Sequence, residues 1–568
     1  MHGQTAAGVR KVYTMNRAAY RGLLSMATLA IYGIFTAGGN TDSASIPVAP
    51  STMTSMGTVD ERFQSYNIEM LEVTGGDFWK PYSKTAGGTQ TTANSGSNLP
   101  AGMNPDMYQY RPPINLGNPR LRTLAAALGP AYLRVSGTWE NTTYFHDSDD
   151  FAPKNPPAGF KGVLTRQQWK GVVDFSHKVN AKIVTSFSTG AGTRDADGVW
   201  TPKEASNFLA YTKSVGGDIA AAEFMNEPTA AAMGGAPKGY DAAAYGRDVA
   251  VFAPFIRNAA PDMIILGPGS VGEGGVFEMF AGMPFLKSED LLKATGPVFD
   301  VFSYHFYGAV SQRCASMGQS ATTTADAALS DEWLSRTNGV ETFYAGLRDR
   351  FEPGKPLWIT ETADAACGGN PWASTFLDSF RYLSQLGSMA QRGVQVVTHN
   401  TLDASDYGLL DENTLVPRPN YWSALLWRKV MGTTTLNPAI PSSPGLHVYA
   451  HCLRDTPGGV ALLVINADRT KSRSVRLPMS SERFTLTAKS LSSTHVQLNG
   501  KQLDLGADDV LPPLHGVQVP SGTTIFAPAS ITRFPLKSFE RNTTRIILGC
   551  GNCGSNLLPS RSTQSLSE

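Results

Sequence analysis

The chain has 568 residues, with 48 Lys and Arg against 47 Asp and Glu and a formal net charge of +1. That length exceeds one ordinary core and predicts two domains, while 41% hydrophobic and 17% charged residues exclude disorder across the chain. A net charge so near zero excludes a general nucleic-acid binder and leaves, at most, a local basic groove for polyanions.

At the N-terminus, Arg10, Lys11, Arg17 and Arg21 precede an apolar run over Gly22–Ala37, and small and polar residues follow to Ser45. This is the charge, core and exit pattern of a secretory signal, with Met15 as an alternative start. A membrane anchor is the competing reading, but the run is short for a span. The expectation is a secreted or periplasmic protein, with residues 1–45 as signal or anchor and linker. Residues 39–58 are rich in Ser, Thr, Pro and Gly and read as a linker.

The first strand candidate is Tyr66–Glu72. Thr85–Pro105 is a polar excursion expected at the surface, and Asn118-Pro119 starts a helix that Gly129 closes. From there apolar runs recur at Tyr132–Ser136, Lys182–Phe187, Ala222–Met225, Met263–Leu266, Val298–Tyr304, Leu357–Thr360 and Val394–Thr398. Helical spacing fills Gln168–Val179, Glu204–Ser214, Ala242–Asn258, Asp326–Phe351 and Thr375–Gln391 between them. Eight strands alternating with helices predict an α/β fold, a (β/α)8 barrel over residues 59–432. An open doubly wound sheet is the runner-up, but no GxGxxG follows the first strand. After Trp422–Val430 the texture changes to short alternating strands from His447 onward, separated by turn residues. That predicts a C-terminal antiparallel β-sandwich over 433–537, with a loose tail over 538–568.

Two glutamates stand out. Ala221-Ala222-Glu223-Phe224-Met225-Asn226-Glu227-Pro228 and Pro356-Leu357-Trp358-Ile359-Thr360-Glu361-Thr362 are apolar runs, each ending in an acid followed by loop-type residues. A single such Glu often caps the next helix. Two of them, at the ends of strands four and seven, predict a carboxylate pair facing one cleft, the arrangement glycoside hydrolysis uses. Asn226 beside the acid can bond a sugar hydroxyl, and Pro228 keeps Glu227 out of the helical region.

Five cysteines are present, at 314, 367, 452, 550 and 553. Cys314 and Cys367 each follow a strand end closely, so they could bridge two loops on one rim. Cys550-Gly551-Asn552-Cys553 is a CxxC without the second pair of a zinc site. One cysteine stays unpaired in any scheme. No metal-ligand spacing is visible, and no cofactor is expected.

Several segments together resemble glycoside hydrolase family 79, the heparanase and β-glucuronidase family, in the form of a bacterial-type exported member. They are Leu121-Arg122-Thr123-Leu124-Ala125 with Gly129–Arg134 and Gly137-Thr138, the Asn-Glu-Pro and Thr-Glu-Thr strand ends, His399–Asn413 with Pro419–Trp422, Val448–Cys452, Val496–Gly500 and Leu511–Leu514. The resemblance implies a retaining hydrolase of β-linked glucuronic acid, with Glu227 as acid/base and Glu361 as nucleophile. It implies Asn226 at the sugar 2-hydroxyl and Tyr307 beside the nucleophile. His305 is either a site residue or a hydrogen-bonded wall of the cleft. The sugar carboxylate is expected on the backbone of Cys367-Gly368-Gly369 and on Tyr407, with Glu69 and Thr138 lining the subsite. Alternatively, Glu69 partners a cation at the barrel bottom, and the two glycines form a plain turn. His399 stands where heparanase has a glutamine. Thr143–Val163 is too short to hold an excised linker. The excursion Lys80–Pro112 favours an exo cleft, since Lys and Arg are not clustered near the catalytic segments. Cys452 is implied to bridge either Cys550 or Cys553. The expected partner is a glucuronic-acid-containing oligo- or polysaccharide, not nucleic acid, and the chain is expected to be a monomer. The competing readings are a related hydrolase of neutral β-glycosides and a non-catalytic carbohydrate-binding barrel.

Overall fold

Eight runs of branched and apolar residues pair side by side in parallel and close on themselves. They are β1 (Gln64–Glu69), β2 (Ala131–Ser136), β3 (Ala181–Ser186), β4 (Ile219–Glu223), β5 (Ile264–Ser270), β6 (Val301–Val310), β7 (Leu357–Ala366) and β8 (Val396–His399). Each strand pairs with its neighbours in chain order, and β8 pairs with β1 through Val397–Gln64 and His399–Tyr66. Parallel strands need crossovers, and helices provide them. These are α1 (Pro119–Leu128), α2 (Arg166–Lys178), α3 (Lys203–Ser214), α4 (Ala242–Ala259), α5 (Ser288–Thr295), α6 (Asp331–Phe351) and α7 (Phe376–Gln391), while α8 (Pro419–Val430) follows β8 and leads out of the barrel. The computed structural model describes residues 45–82, 99–100, 103–275, 285–317, 321–537 and 553.

Local chemistry sets the helix starts. The Asn118 side chain accepts from the N–H groups of Arg120 and Leu121, with Pro119 at the first helical position. Thr165 and Gln168 form a reciprocal capping box on α2. Asp241 and Ser330 cap α4 and α6.

The antiparallel part holds a large sheet built around Leu446–Leu453, Val460–Asn466, Ser530–Leu536 and Ser481–Thr487, faced by a small sheet of Arg473–Leu477 and Gly522–Phe526. Leu436, Leu462, Val464, Val475, Phe526 and Phe534 fill the space between them. All seven residues of Val460–Asn466 are buried, because the other face of the large sheet packs on the barrel. There α7 is buried at every position but its last, its Gly387 sits on the Tyr449 ring, and Ser384 Oγ lies 2.8 Å from the Tyr449 hydroxyl.

The linker reading of residues 39–58 is corrected in its described part. Ile46–Pro47 pairs in parallel with Arg473–Leu477, and Ser55–Thr58 pairs antiparallel with Met431–Leu436, so the segment completes both sheets of the β-domain. Met431–Leu436 itself belongs to the large sheet, which therefore starts at the end of α8. α5 was not predicted: eight residues are too short for a clear helical period. Among the described residues no helix is long and apolar enough to cross a membrane. The signal-like run, most of the excursion after Trp79, Cys550 and nearly all of the tail lie outside the described residues.

Candidate active site

The C-terminal ends of the barrel strands converge on one buried charge network. Arg134, on β2, is 1% exposed and donates to Glu361 Oε2 at 2.9 Å, Glu223 Oε2 at 2.9 Å and Asn226 Oδ1 at 2.7 Å. A lone guanidinium at this depth would be untenable; two carboxylates and an amide oxygen satisfy it. Glu223 also accepts from Ser303 Oγ at 2.8 Å and Thr360 Oγ1 at 2.6 Å. Burial opposes its charge, yet Arg134, His305 and Thr360 hold its carboxyl well below the usual range.

Two backbone irregularities aim the catalytic candidates. Between β6 and β7 the register slips, so that Tyr304 pairs with Ile359 while His305 pairs with Glu361. The extra residue is Thr360, and this bulge lets consecutive side chains, Thr360 and Glu361, both reach the barrel interior. On β6 the period of two places Ser303, His305 and Tyr307 on that same inner face. The second irregularity is Glu227 itself, four residues past the end of β4, with φ 50° and ψ 61°. A residue before proline favours extended backbone, so the left-handed conformation is a held strain, as functional sites often store. Asn141 holds the turn from behind, donating to Asn226 O at 3.0 Å and accepting from Asn226 N–H at 2.9 Å.

Glu361 has both oxygens engaged, Oε2 by Arg134 and Oε1 by the Tyr307 hydroxyl at 2.5 Å. His305 is fully buried and places Nδ1 3.0 Å from Glu227 Oε1 and 3.7 Å from Glu361 Oε2. One oxygen of each glutamate and one His305 nitrogen all lie within 4.8 Å of one another. Burial and Arg134 oppose the imidazolium, but Glu361, Glu223 and Glu227 outweigh them and lift His305 to about 9. Glu227 keeps 18% of its side chain exposed, and desolvation, with the charge of Glu361, raises its carboxyl above the usual range against the pull of His305. A carboxyl that holds its proton more tightly than usual thus stands beside one whose two oxygens each accept a hydrogen bond.

These groups open into a pocket of about 120 Å³. Glu69, Thr138, Asn226, Glu227, Tyr307, Glu361, Cys367 and Tyr407 line it, whereas His305 does not. Asn400 Nδ2 ties the wall together, lying 3.1 Å from Glu69 Oε1, 3.1 Å from the Tyr307 hydroxyl and 3.4 Å from the Tyr407 hydroxyl. Glu69 sits at this upper end, not at the barrel bottom. Burial first, then the Glu361 charge, raises its carboxyl well above the usual range. Its neighbour Gly137, at φ 102°, has no space for a side chain: a Cβ there would stand 1.5 Å from Glu69 Oε2.

Cys367, Gly368 and Gly369 all have positive φ, at 64°, 80° and 85°, and Cys367 is bridged to Cys314 across the rim. The glycines lie behind the lining, where a Cβ on Gly368 would meet Trp79 Cβ at 2.5 Å. The second bridge is Cys452–Cys553. His399 is the correction in this region. It does not line the pocket; its Nε2–H donates to the Tyr407 carbonyl at 2.8 Å, and burial pushes it down to about 3. The side chain this segment presents is the next one, Asn400. Arg134 and Glu223 carried no assigned role in the sequence reading, although a charge inside an apolar strand run is itself a signal.

Residues 113–387 match the glycosyl hydrolase family 79 N-terminal domain. Heparanase-like protein 1 of Arabidopsis thaliana is 29% identical over 368 residues, 62% of this chain. The chain spans 65% of that relative's length. Baicalin-beta-D-glucuronidase of Scutellaria baicalensis is 34% identical over 207 residues, 34% of this chain and 39% of that protein. Among solved structures, the GH51 arabinofuranosidase of Xanthomonas axonopodis pv. citri aligns with a TM-score of 0.56 over 85% of this chain and 98% of that one, at 16% identity, a likeness of fold.

Proposed function

The chain belongs to glycoside hydrolase family 79, and from this premise we propose a retaining β-glucuronidase. The observation that carries the reading is the 4.8 Å grouping of a Glu227 oxygen, a His305 nitrogen and a Glu361 oxygen. Retaining glycosidases hold their carboxyls about 5–5.5 Å apart, whereas inverting ones leave room for a water.

In the first step a Glu361 oxygen attacks the anomeric carbon and the carbon–oxygen bond to the leaving group breaks. Glu227 gives its proton to the departing oxygen. In the second step Glu227 takes a proton from water, the water oxygen bonds to the anomeric carbon, and Glu361 is released as a carboxylate. Arg134 and Tyr307 hold Glu361 in place before attack. Asn226 Nδ2 is buried with no partner, which leaves it a donor for the sugar 2-hydroxyl.

The uronate carboxylate would meet Tyr407 and the backbone at Cys367, the residue of the 367–369 loop that lines the pocket. The hairpin of Gly76–Trp79 and Tyr108–Arg111 brings Trp79 into the pocket wall, which supports attack at a chain end over attack within a chain. Two disulfides support passage through an oxidising compartment and a secreted protein.

The test is hydrolysis of phenyl β-D-glucuronide, with the first-formed sugar anomer read by NMR. The expected result is release of β-glucuronic acid by the wild type and not by Glu361→Gln. Turnover of a phenyl β-xyloside or β-glucoside alone would move the protein to neutral sugars. An α-anomer formed first would make it inverting, and no turnover of any glycoside would leave a binding barrel.

A further inference from the structure

Glu227 stands outside the pairing that fixes the rest of the barrel. The last paired residue of β4 is Glu223, and Glu227 has a left-handed backbone that the following proline disfavours. Something other than strand pairing must keep its carboxyl in place. On its C-terminal side the turn Pro228–Ala230 is tied to the loop after β5: Thr229 Oγ1 donates to Val271 O at 2.8 Å and accepts from Val271 N–H at 3.0 Å. On its N-terminal side the tie is Asn141, in the turn Glu140–Thr142 that follows β2.

Asn141 is fully buried. Its Nδ2 donates to the Asn226 carbonyl at 3.0 Å and its Oδ1 accepts from the Asn226 N–H at 2.9 Å. One side-chain amide thus gives Asn226 both hydrogen bonds that a neighbouring strand would give. A backbone N–H only donates and a carbonyl only accepts, so the amide has a single orientation here. Asn141 is itself fixed from the next strand. Its carbonyl accepts from the N–H groups of Thr189 at 2.9 Å and Gly190 at 2.8 Å and from Ser188 Oγ at 3.1 Å, all just past the end of β3. Gly234 leaves the amide its space, since a Cβ there would stand 2.7 Å from Asn141 Nδ2. The ends of β2, β3 and β4 are joined at this one residue.

We propose that Asn141 is a positioning residue for the acid/base: by holding the backbone one residue ahead of Glu227, it aims the Glu227 carboxyl at the leaving oxygen. Glu361 is held on β7 by Arg134 and Tyr307 instead. The inference rests on the β-glucuronidase reading above and on the roles it gives the two glutamates. It carries a signature that a merely structural asparagine lacks. Proton donation matters most when the leaving oxygen departs as a strong base, so a misplaced Glu227 costs most on poor leaving groups.

The experiment compares kcat/KM for phenyl and 2,4-dinitrophenyl β-D-glucuronides on the wild type, Asn141→Ala, Asn141→Asp and Gly234→Ala, with melting curves as the check on folding. Asn141→Ala should lose about 10²-fold on the phenyl glucuronide and less than about tenfold on the dinitrophenyl one. Gly234→Ala, which crowds the amide without removing it, should show the same skew. In Asn141→Asp a protonated carboxyl both donates and accepts as the amide does, so phenyl activity relative to wild type should recover as pH falls. On the phenyl glucuronide, Asn141→Ala added to Glu227→Gln should cost nothing further, because the two act as one unit. An equal loss on both leaving groups, no loss at all, or additive losses in the double variant would overturn the positioning role and leave the glucuronidase. Turnover of neutral aryl glycosides alone would overturn the glucuronidase reading, and the same series on those substrates would carry the same outcomes for Asn141. No turnover of any aryl glycoside by the wild type would overturn both.

Discussion

Glu227 and Glu361 differ in what surrounds them, and the difference predicts how each fails. On the proposed mechanism Glu361→Gln removes the attacking group and should lower kcat by about 10⁴-fold or more. Glu227→Gln removes only proton transfer, so about 10²–10⁴-fold is expected, with the smaller loss on substrates whose leaving group needs no proton. Both numbers come from steady-state kinetics on phenyl and nitrophenyl glucuronides. Since the Glu361 charge helps raise Glu227, Glu361→Gln should also move the Glu227 titration downward, a shift readable by carbon-13 NMR of labelled glutamate. His305 gives a stability prediction with a definite sign. Its folded value of about 9 lies above its unfolded value of about 6.5, so the folded state binds the extra proton. Its contribution is complete below about pH 6.5 and is lost as pH rises through about 9. Denaturant melts should therefore show stability falling over that window, and His305→Gln should flatten the slope. Gly137→Ala tests the packing under Glu69: a positive-φ strain of about 1–3 kcal/mol adds to a direct collision with the carboxylate, so both melting temperature and kcat/KM should drop.

The elements of the barrel were readable because each strand is an apolar run flanked by turn chemistry, and all eight lie where those runs occur. What could not be read was where a strand continues after the apolar residues stop. The run Val298–Tyr304 continues as β6 to Val310, and Leu357–Thr360 as β7 to Ala366. His305, Tyr307 and Glu361 are polar residues paid for by one another, so composition alone hides them inside a strand. The same holds for Arg134, whose partners Glu223 and Glu361 come from strands four and seven. His399 and Asn400 show the limit of position: one residue of slip along the chain exchanges a buried hydrogen-bonded ring for the side chain that lines the pocket. The loop that follows β7 depends on its disulfide. Cys314 and Cys367 stand 53 residues apart in sequence, so the bridge limits the unfolded chain by up to about 4 kcal/mol. Cys314→Ser with Cys367→Ser should lower the melting temperature and, on the proposed function, raise KM for glucuronides, since the freed loop carries Cys367 of the pocket wall.

At the scale of the molecule, residues 45–58 matter more than their composition suggests. Ser, Thr and Pro spelled a linker, but strand pairing with distant partners overrides that preference, as edge strands allow. A chain starting at Val59 would leave Met431–Leu436 and Arg473–Leu477 without a partner on one edge each, and would remove Val48 and Met53 from the core between the sheets. Scanning calorimetry of that chain should show a marked drop in melting temperature relative to one starting at Ser45. Barrel and β-domain should melt together in a single transition in the longer chain, because they share one apolar core.

That shared core has a consequence for descent. α7 is enclosed by the barrel on one side and the large sheet on the other, with Gly387 fitted to the Tyr449 ring. A recombination event that cut the gene near residue 432 would leave a barrel with a bare greasy helix and a sheet with one raw face. Neither fragment could be traded to another lineage as a ready module. A change of size at Gly387 would call for a matching change at Tyr449, so the barrel and the sheet are coupled side chain by side chain.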